Sequence, residues 1–167
     1  MRRAGVILRL LALRLFLPIA TRRLPLPRLV RLVARPRTDL RAPEQQLAVR
    51  VAARLWRESD RPCLQRSLAL HSELGRLGAD VTLVCGVARD GETRIGHAWV
   101  EDRGTALLER GDPRSLHEPL LVFDRYGTLA DGRVTTAPAA APRATHESPP
   151  VHAPRATPRA TRRQERA

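Results

Sequence analysis

Arg61-Pro62-Cys63-Leu64-Gln65-Arg66-Ser67-Leu68-Ala69-Leu70 opens the stretch on which the reading of the fold turns. It continues through Gly96-His97-Ala98-Trp99-Val100-Glu101 and ends at Glu109. The first segment reads as the start of a helix. Ser59 or Asp60 can cap it, Pro62 suits its first turn, and Leu64, Leu68, Leu70, Leu74 and Leu77 form an apolar face at helical spacing. Gly75 weakens this helix and Gly78 ends it. Residues 80–88 then alternate as a strand, Arg89-Asp90-Gly91-Glu92 is a hairpin turn, and residues 94–101 form a second strand. Asp102-Arg103-Gly104 turns into a third strand over 105–109, and residues 120–123 make a fourth. Helices followed by an antiparallel meander define an α+β fold, with helices packed on a small sheet.

Upstream, Pro43 opens a helix with acids early, Leu47, Val51 and Leu55 along it, and Trp56 near its end. Pro36-Arg37-Thr38-Asp39 is a break before it. Residues 4–17 read as a helix with Val6, Leu10, Leu13 and Leu17 on one face, stopped by Pro18. Arg9 and Arg14, about 140° apart on a helical wheel, define no single polar face. Residues 22–35 repeat the theme, with Leu29, Leu32 and Val33 apolar and Arg28, Arg31 and Arg35 charged. These helices either pack on the core with guanidinium heads in water, or present a surface to a partner, a peptide or an anionic membrane. The N-terminus imitates a signal peptide. However, Arg9 and Arg14 interrupt the apolar run and no small-x-small site follows, which also argues against a membrane span.

Charge divides the chain of 167 residues into three parts. Residues 1–41 carry eleven Arg and one Asp, residues 42–130 twelve Arg and thirteen acids, and residues 131–167 seven Arg and three acids. The isoelectric point of 11.6 thus describes the two ends, while the middle, 42–130, reads as the nearly neutral folded domain. With no basic stripe on that domain, nucleic acid is not an expected partner. The 131–167 segment, rich in Pro, Arg, Ala and Thr, holds too little apolar surface to offset its ordering entropy and reads as a disordered tail. Two cysteines make no disulfide framework, and a reduced, cytoplasmic chain is expected.

Cysteine, histidine and carboxylate are the parts of a thiol-based acyl-transfer site. Cys63 falls in the first turn of its helix, where free amides and the helix dipole favour a thiolate. Cys85 lies inside an apolar strand. His97 stands between Gly96 and Ala98, small neighbours that let another element come close. Among the other histidines, His71 is eight residues along the helix from Cys63, about 12 Å away. His117 is in a Pro-flanked loop, and His146 and His152 are in the tail.

Cys63-Leu64-x-Arg66-Ser67-Leu68-Ala69-Leu70, then Gly78 and a Val-rich strand, then Gly96-His97-Ala98-Trp99-Val100-Glu101, resembles the transglutaminase-like leader peptidases of lasso-peptide biosynthesis. The resemblance covers residues 45–127. It implies a papain-like cysteine protease that removes the leader from a ribosomal precursor peptide without cofactor or metal. It also implies two partners, a small leader-recognition protein and an asparagine-synthetase-like macrocyclase. Cys63 would be the nucleophile, His97 the base, and Glu109 would stand where the family has Asp. The backbone N–H of Cys63 would serve an oxyanion, and Gln45 and Gln46 lie upstream of it. A reading of another class is a transglutaminase-like module that binds a precursor or partner without turnover.

Which carboxylate meets His97 depends on register. If Asp102-Arg103-Gly104 is a three-residue loop, Glu101 pairs with Thr105, Trp99 with Leu107, and His97 with Glu109. Asp102, an odd step from His97, points to the other face.

Overall fold

A computed structural model describes residues 2–37, 42–57, 63–90 and 93–130. All of them fall in one compact unit, Met1–Thr135. The caps at Ser59 and Asp60, Pro62, the turn residues Gly91 and Glu92, and the 131–167 segment lie outside the described residues.

Four helices precede the sheet: α1 (Arg2–Arg23), α2 (Leu26–Val33), α3 (Ala42–Leu55) and α4 (Cys63–Arg76). Pro18 does not stop α1. The helix runs through it, although a proline removes one backbone hydrogen bond there and costs about 3 kcal/mol in a helix interior. Leu17 and Ala20, buried on either side of Pro18, tie both halves of the helix to the core. In α2 the buried residues are Leu29, Val30 and Val33, whereas Leu32 is exposed, so the apolar face lies one position away from the expected one.

The four strands are β1 (Val81–Asp90), β2 (Thr93–Asp102), β3 (Thr105–Leu107) and β4 (Glu118–Phe123), all antiparallel in the order β3-β2-β1-β4. β4 begins two residues earlier than expected and includes Pro119. As an edge strand it can accommodate a residue with no N–H to donate. Leu120 is an extra residue there: Cys85 pairs with Leu121 but Gly86 with Pro119, a bulge in the ladder.

One core unites the helices and the sheet. Val6, Leu10 and Leu17 of α1, Leu29 and Val30 of α2, Ala48 and Ala52 of α3 and Leu68, Leu70 and Leu74 of α4 share it with Val81, Leu83, Val100 and Phe123. The two arginines in the middle of α1, Arg9 and Arg14, straddle its buried face. Arg9 reaches the buried Glu73 of α4, with its Nε 2.9 Å from Oε2. Arg14 donates to the Leu55 carbonyl that ends α3 and lies over the Trp56 ring at 5.7 Å. Both guanidinium groups therefore bond to the protein, which is why no polar face could be drawn through them.

Candidate active site

α4 delivers its site residues in a single turn. Cys63, Arg66 and Ser67 stand at i, i+3 and i+4, the spacing that places side chains on one helix face. Ser67 Oγ donates to the Ala98 carbonyl at 2.8 Å, so the first turn of α4 is fastened to β2 one residue from His97. Arg66 Nη2 donates to Glu109 Oε1. The other oxygen of that carboxylate, Oε2, lies 3.1 Å from His97 Nε2. His97 in turn hydrogen-bonds the Cys63 side chain.

These contacts set the protonation states. Burial alone would push the Cys63 thiol up. It is outweighed by the hydrogen bond to His97, backbone hydrogen bonds from Ala98 and Leu64 and the attraction of the imidazolium, and the thiol ends below its ordinary value. His97 moves the other way, to about 9, first through its hydrogen bond with Cys63, then through that with Glu109, against the cost of burial. A thiol held below its ordinary value, beside an imidazole held protonated through neutral pH, is a nucleophile with its proton donor beside it. Cys85 is pushed up to about 11 by burial and by the negative charge of Cys63, so it stays a thiol.

Glu109 reaches His97 by a route other than the expected one. The β2–β3 register pairs Asp102 with Thr105, Glu101 with Ala106 and Val100 with Leu107, around a loop of Arg103 and Gly104. Both loop residues have positive φ, 49° and 81°, as a tight two-residue hairpin demands. Extended in that register, β3 would place Arg110 opposite His97. The strand stops instead at Leu107, and Leu108 takes a φ of 60°, which redirects the chain and carries Glu109 to the imidazole. Asp102 sits at the turn, 3.5 Å from Arg103 Nε.

Close packing beside His97 comes from Gly86 rather than Gly96. A Cβ on Gly96 would meet nothing within 4 Å. Gly86 lies directly across from His97 on β1, and a Cβ there would stand 2.8 Å from the Glu118 carbonyl oxygen and 3.0 Å from Trp99. Gln45 does not serve the oxyanion, because its Nε2 donates to the Leu77 carbonyl at 2.8 Å, at the far end of α4. Gln46 is exposed on α3.

His71 is fully buried, with Nε2 donating to the Asp124 carbonyl at 2.9 Å; burial lowers its pKa and keeps it neutral. His117 is the residue that loop reasoning missed. Its ring centroid lies 5.0 Å from that of His97 and 6.4 Å from Trp99. A signal was present: Asp112-Pro113 caps and starts a short 3-10 turn, Pro113–Ser115, in which Asp112 accepts from the Arg114 N–H and the His117 N–H returns to the Pro113 carbonyl. Arg114, from the same turn, clamps the buried Glu101 with two hydrogen bonds, and Glu101 also accepts from the Trp99 indole at 2.8 Å. Trp99, packed against His97, is thus held by a part-buried ion pair.

A helix-start cysteine facing a strand histidine that carries a carboxylate, on helices packed against an antiparallel sheet, defines a transglutaminase-like arrangement. The family model of the Transglutaminase-like superfamily matches residues 7–122, and the chain belongs to that superfamily, which includes cysteine proteases. The match begins within α1 and ends within β4. No curated protein and no solved structure matches the chain.

Proposed function

We propose that this protein is a cysteine peptidase, and that it removes the leader from a lasso-peptide precursor. The observation that carries the chemical part is the line of contacts from Cys63 through His97 to Glu109, continued to Arg66. The substrate part rests on the Cys63–Leu70 and Gly96–Glu101 motifs. In this reading the Cys63 thiolate adds to the scissile carbonyl. The resulting oxyanion collapses, expelling the amine of the core peptide as His97 hands it a proton. A thioester to the leader remains. His97, now neutral, takes a proton from water, the hydroxide adds to the thioester, and the Cys63 thiolate leaves. With Nε2 committed to Glu109, Nδ1 serves the sulfur. Glu109 holds the ring and the charge it acquires, as a carboxylate does in related triads. A ribosomal precursor peptide, a small leader-recognition protein and an asparagine-synthetase-like macrocyclase are the partners this reading requires, in a reducing, cytoplasmic setting.

Mixing the protein with a candidate precursor and its recognition protein, and following leader release by mass spectrometry, tests the proposal. Cys63→Ala should abolish release while leaving the circular dichroism spectrum unchanged, because a small side chain is replaced at a helix end. Release at the wild-type rate by that variant would remove the peptidase reading. If iodoacetamide labels Cys63 no faster than Cys85, a peptide-binding module without turnover becomes the better description.

A further inference from the structure

The outward side of α1 carries no charge over most of its length. Ile7, Leu8, Leu11, Leu15, Phe16 and Ile19 are exposed, Leu8 to 69%, Leu15 to 77% and Ile19 to 64%. On a helical wheel Leu8, Leu11, Leu15, Phe16 and Ile19 fill the half opposite Leu10 and Leu17, with Ile7 flanking it, while Arg9 and Arg14 are drawn inward to Glu73 and Leu55. Exposed Leu32 of α2 lies across a groove whose lining mixes Leu13 and Phe16 with Arg9, Arg35, Glu73 and Arg76. From Ile7 to Ile19 the stripe runs about 18 Å. Its rim is basic: Arg3, Arg22 and Arg23 at the ends of α1 and Arg28 and Arg31 on α2 are exposed, and no acidic residue occurs before Asp39.

We infer that this face docks on an anionic lipid bilayer, with α1 lying in the plane of the interface. The apolar side chains enter the acyl boundary and the arginine rim meets the headgroup phosphates. By length and mean hydropathy (1.8), α1 could cross a membrane, Arg9 and Arg14 notwithstanding. Its other side forbids that without unfolding the domain. Leu10 and Leu17 are fully buried in the common core, and withdrawing Arg9 would strip the buried Glu73 of its bidentate partner. A second copy of the chain fits the face poorly, since a two-fold contact would set one arginine rim against another. The inference stands independently of the peptidase reading.

Co-sedimentation of the full chain with vesicles is the test, using equal parts phosphatidylglycerol and phosphatidylcholine in one arm and phosphatidylcholine alone in the other. Binding should favour the anionic vesicles several-fold. Leu15→Asp combined with Ile19→Asp should lower the partition coefficient at least about tenfold. Both positions are exposed, so an unchanged Cys63 labelling rate would confirm that the variant is folded. Two outcomes overturn the inference through the vesicles alone: no sedimentation with either composition, or undiminished binding of the double variant, which would assign attachment to arginines elsewhere. Self-association or capture of the precursor peptide that is lost in the double variant, without vesicle binding, would make the face a protein interface and overturn it equally.

Discussion

Cys85 feels the charge of Cys63, yet the two thiols shift in opposite directions, because His97 and backbone donors serve only Cys63. Iodoacetamide reacts with thiolate, so labelling of Cys63 should reach its midpoint below the ordinary value of 9.0, whereas Cys85 should stay unreactive until the pH nears 11. In the proposed peptidase reaction, turnover needs the imidazolium as well. It should rise as pH climbs through the lowered Cys63 value and fall as His97 loses its proton near 9. A pH–rate profile with no alkaline limb would contradict this pairing. After Cys63, Glu109 is the group that holds that limb high. Glu109→Gln should move it toward the ordinary histidine value of 6.5 and cut turnover about a hundredfold, with Asp102→Asn, at the exposed turn, close to wild type. Glu109→Asp keeps the charge and should keep the limb. Arg66→Gln, which frees Glu109 to swing, should lower kcat about tenfold with little change in KM. Equal activity of Glu109→Gln and wild type would take Glu109 out of the site.

Strand pairing positions these side chains more tightly than any single contact. α4 is fastened to β2 by Ser67, and β1 presses on His97 and Trp99 through Gly86, the one residue small enough to pass Glu118 and the indole. Gly86→Ala has no flexible neighbour to displace on the β4 side, since the obstructing atom is a backbone carbonyl. It should push β4 away, shift His117 and the His97 ring by a fraction of an ångström to an ångström, and reduce turnover about ten- to a hundredfold. Gly96→Ala, with open space around it, should leave turnover and melting temperature unchanged. The two glycines thus provide a matched pair measured by leader release and thermal unfolding, and an equal loss from both would argue against a packing role for Gly86.

Arg9 and Glu73 couple the first helix to the one that bears the cysteine. Glu73 is 1% exposed, and its other cation, Arg76, stands at 3.7 Å. Arg9→Met leaves a buried carboxylate short of donors and should lower stability by about 2–4 kcal/mol. Arg9→Met with Glu73→Met removes both charges and should recover most of that loss, because two apolar chains of similar size need no counter-ion. Urea unfolding of the wild type, both single variants and the double variant measures this coupling. Strictly additive losses would show that the pair acts independently.

Local physics made much of this molecule legible before its fold was known. Apolar spacing marked the helices. The run of three turns and alternating strands marked the antiparallel sheet. Proline and cap signals set Cys63 near a helix start, because helix starts and tight turns are governed by neighbouring residues. The contact between His97 and Glu109 could be reached by reasoning about register, but the register itself was out by one: Arg103 and Gly104 both accept positive φ and close a two-residue loop, and Leu108, beyond β3, accepts it against its ordinary preference. Tertiary structure alone decided the rest. It carried α1 through Pro18, turned Arg9 and Arg14 inward, brought His117 beside His97 and gave Arg66 to Glu109. Each of those outcomes depends on charges and surfaces distant in the chain, and burial makes an ion pair or a close approach compulsory only once the elements have packed.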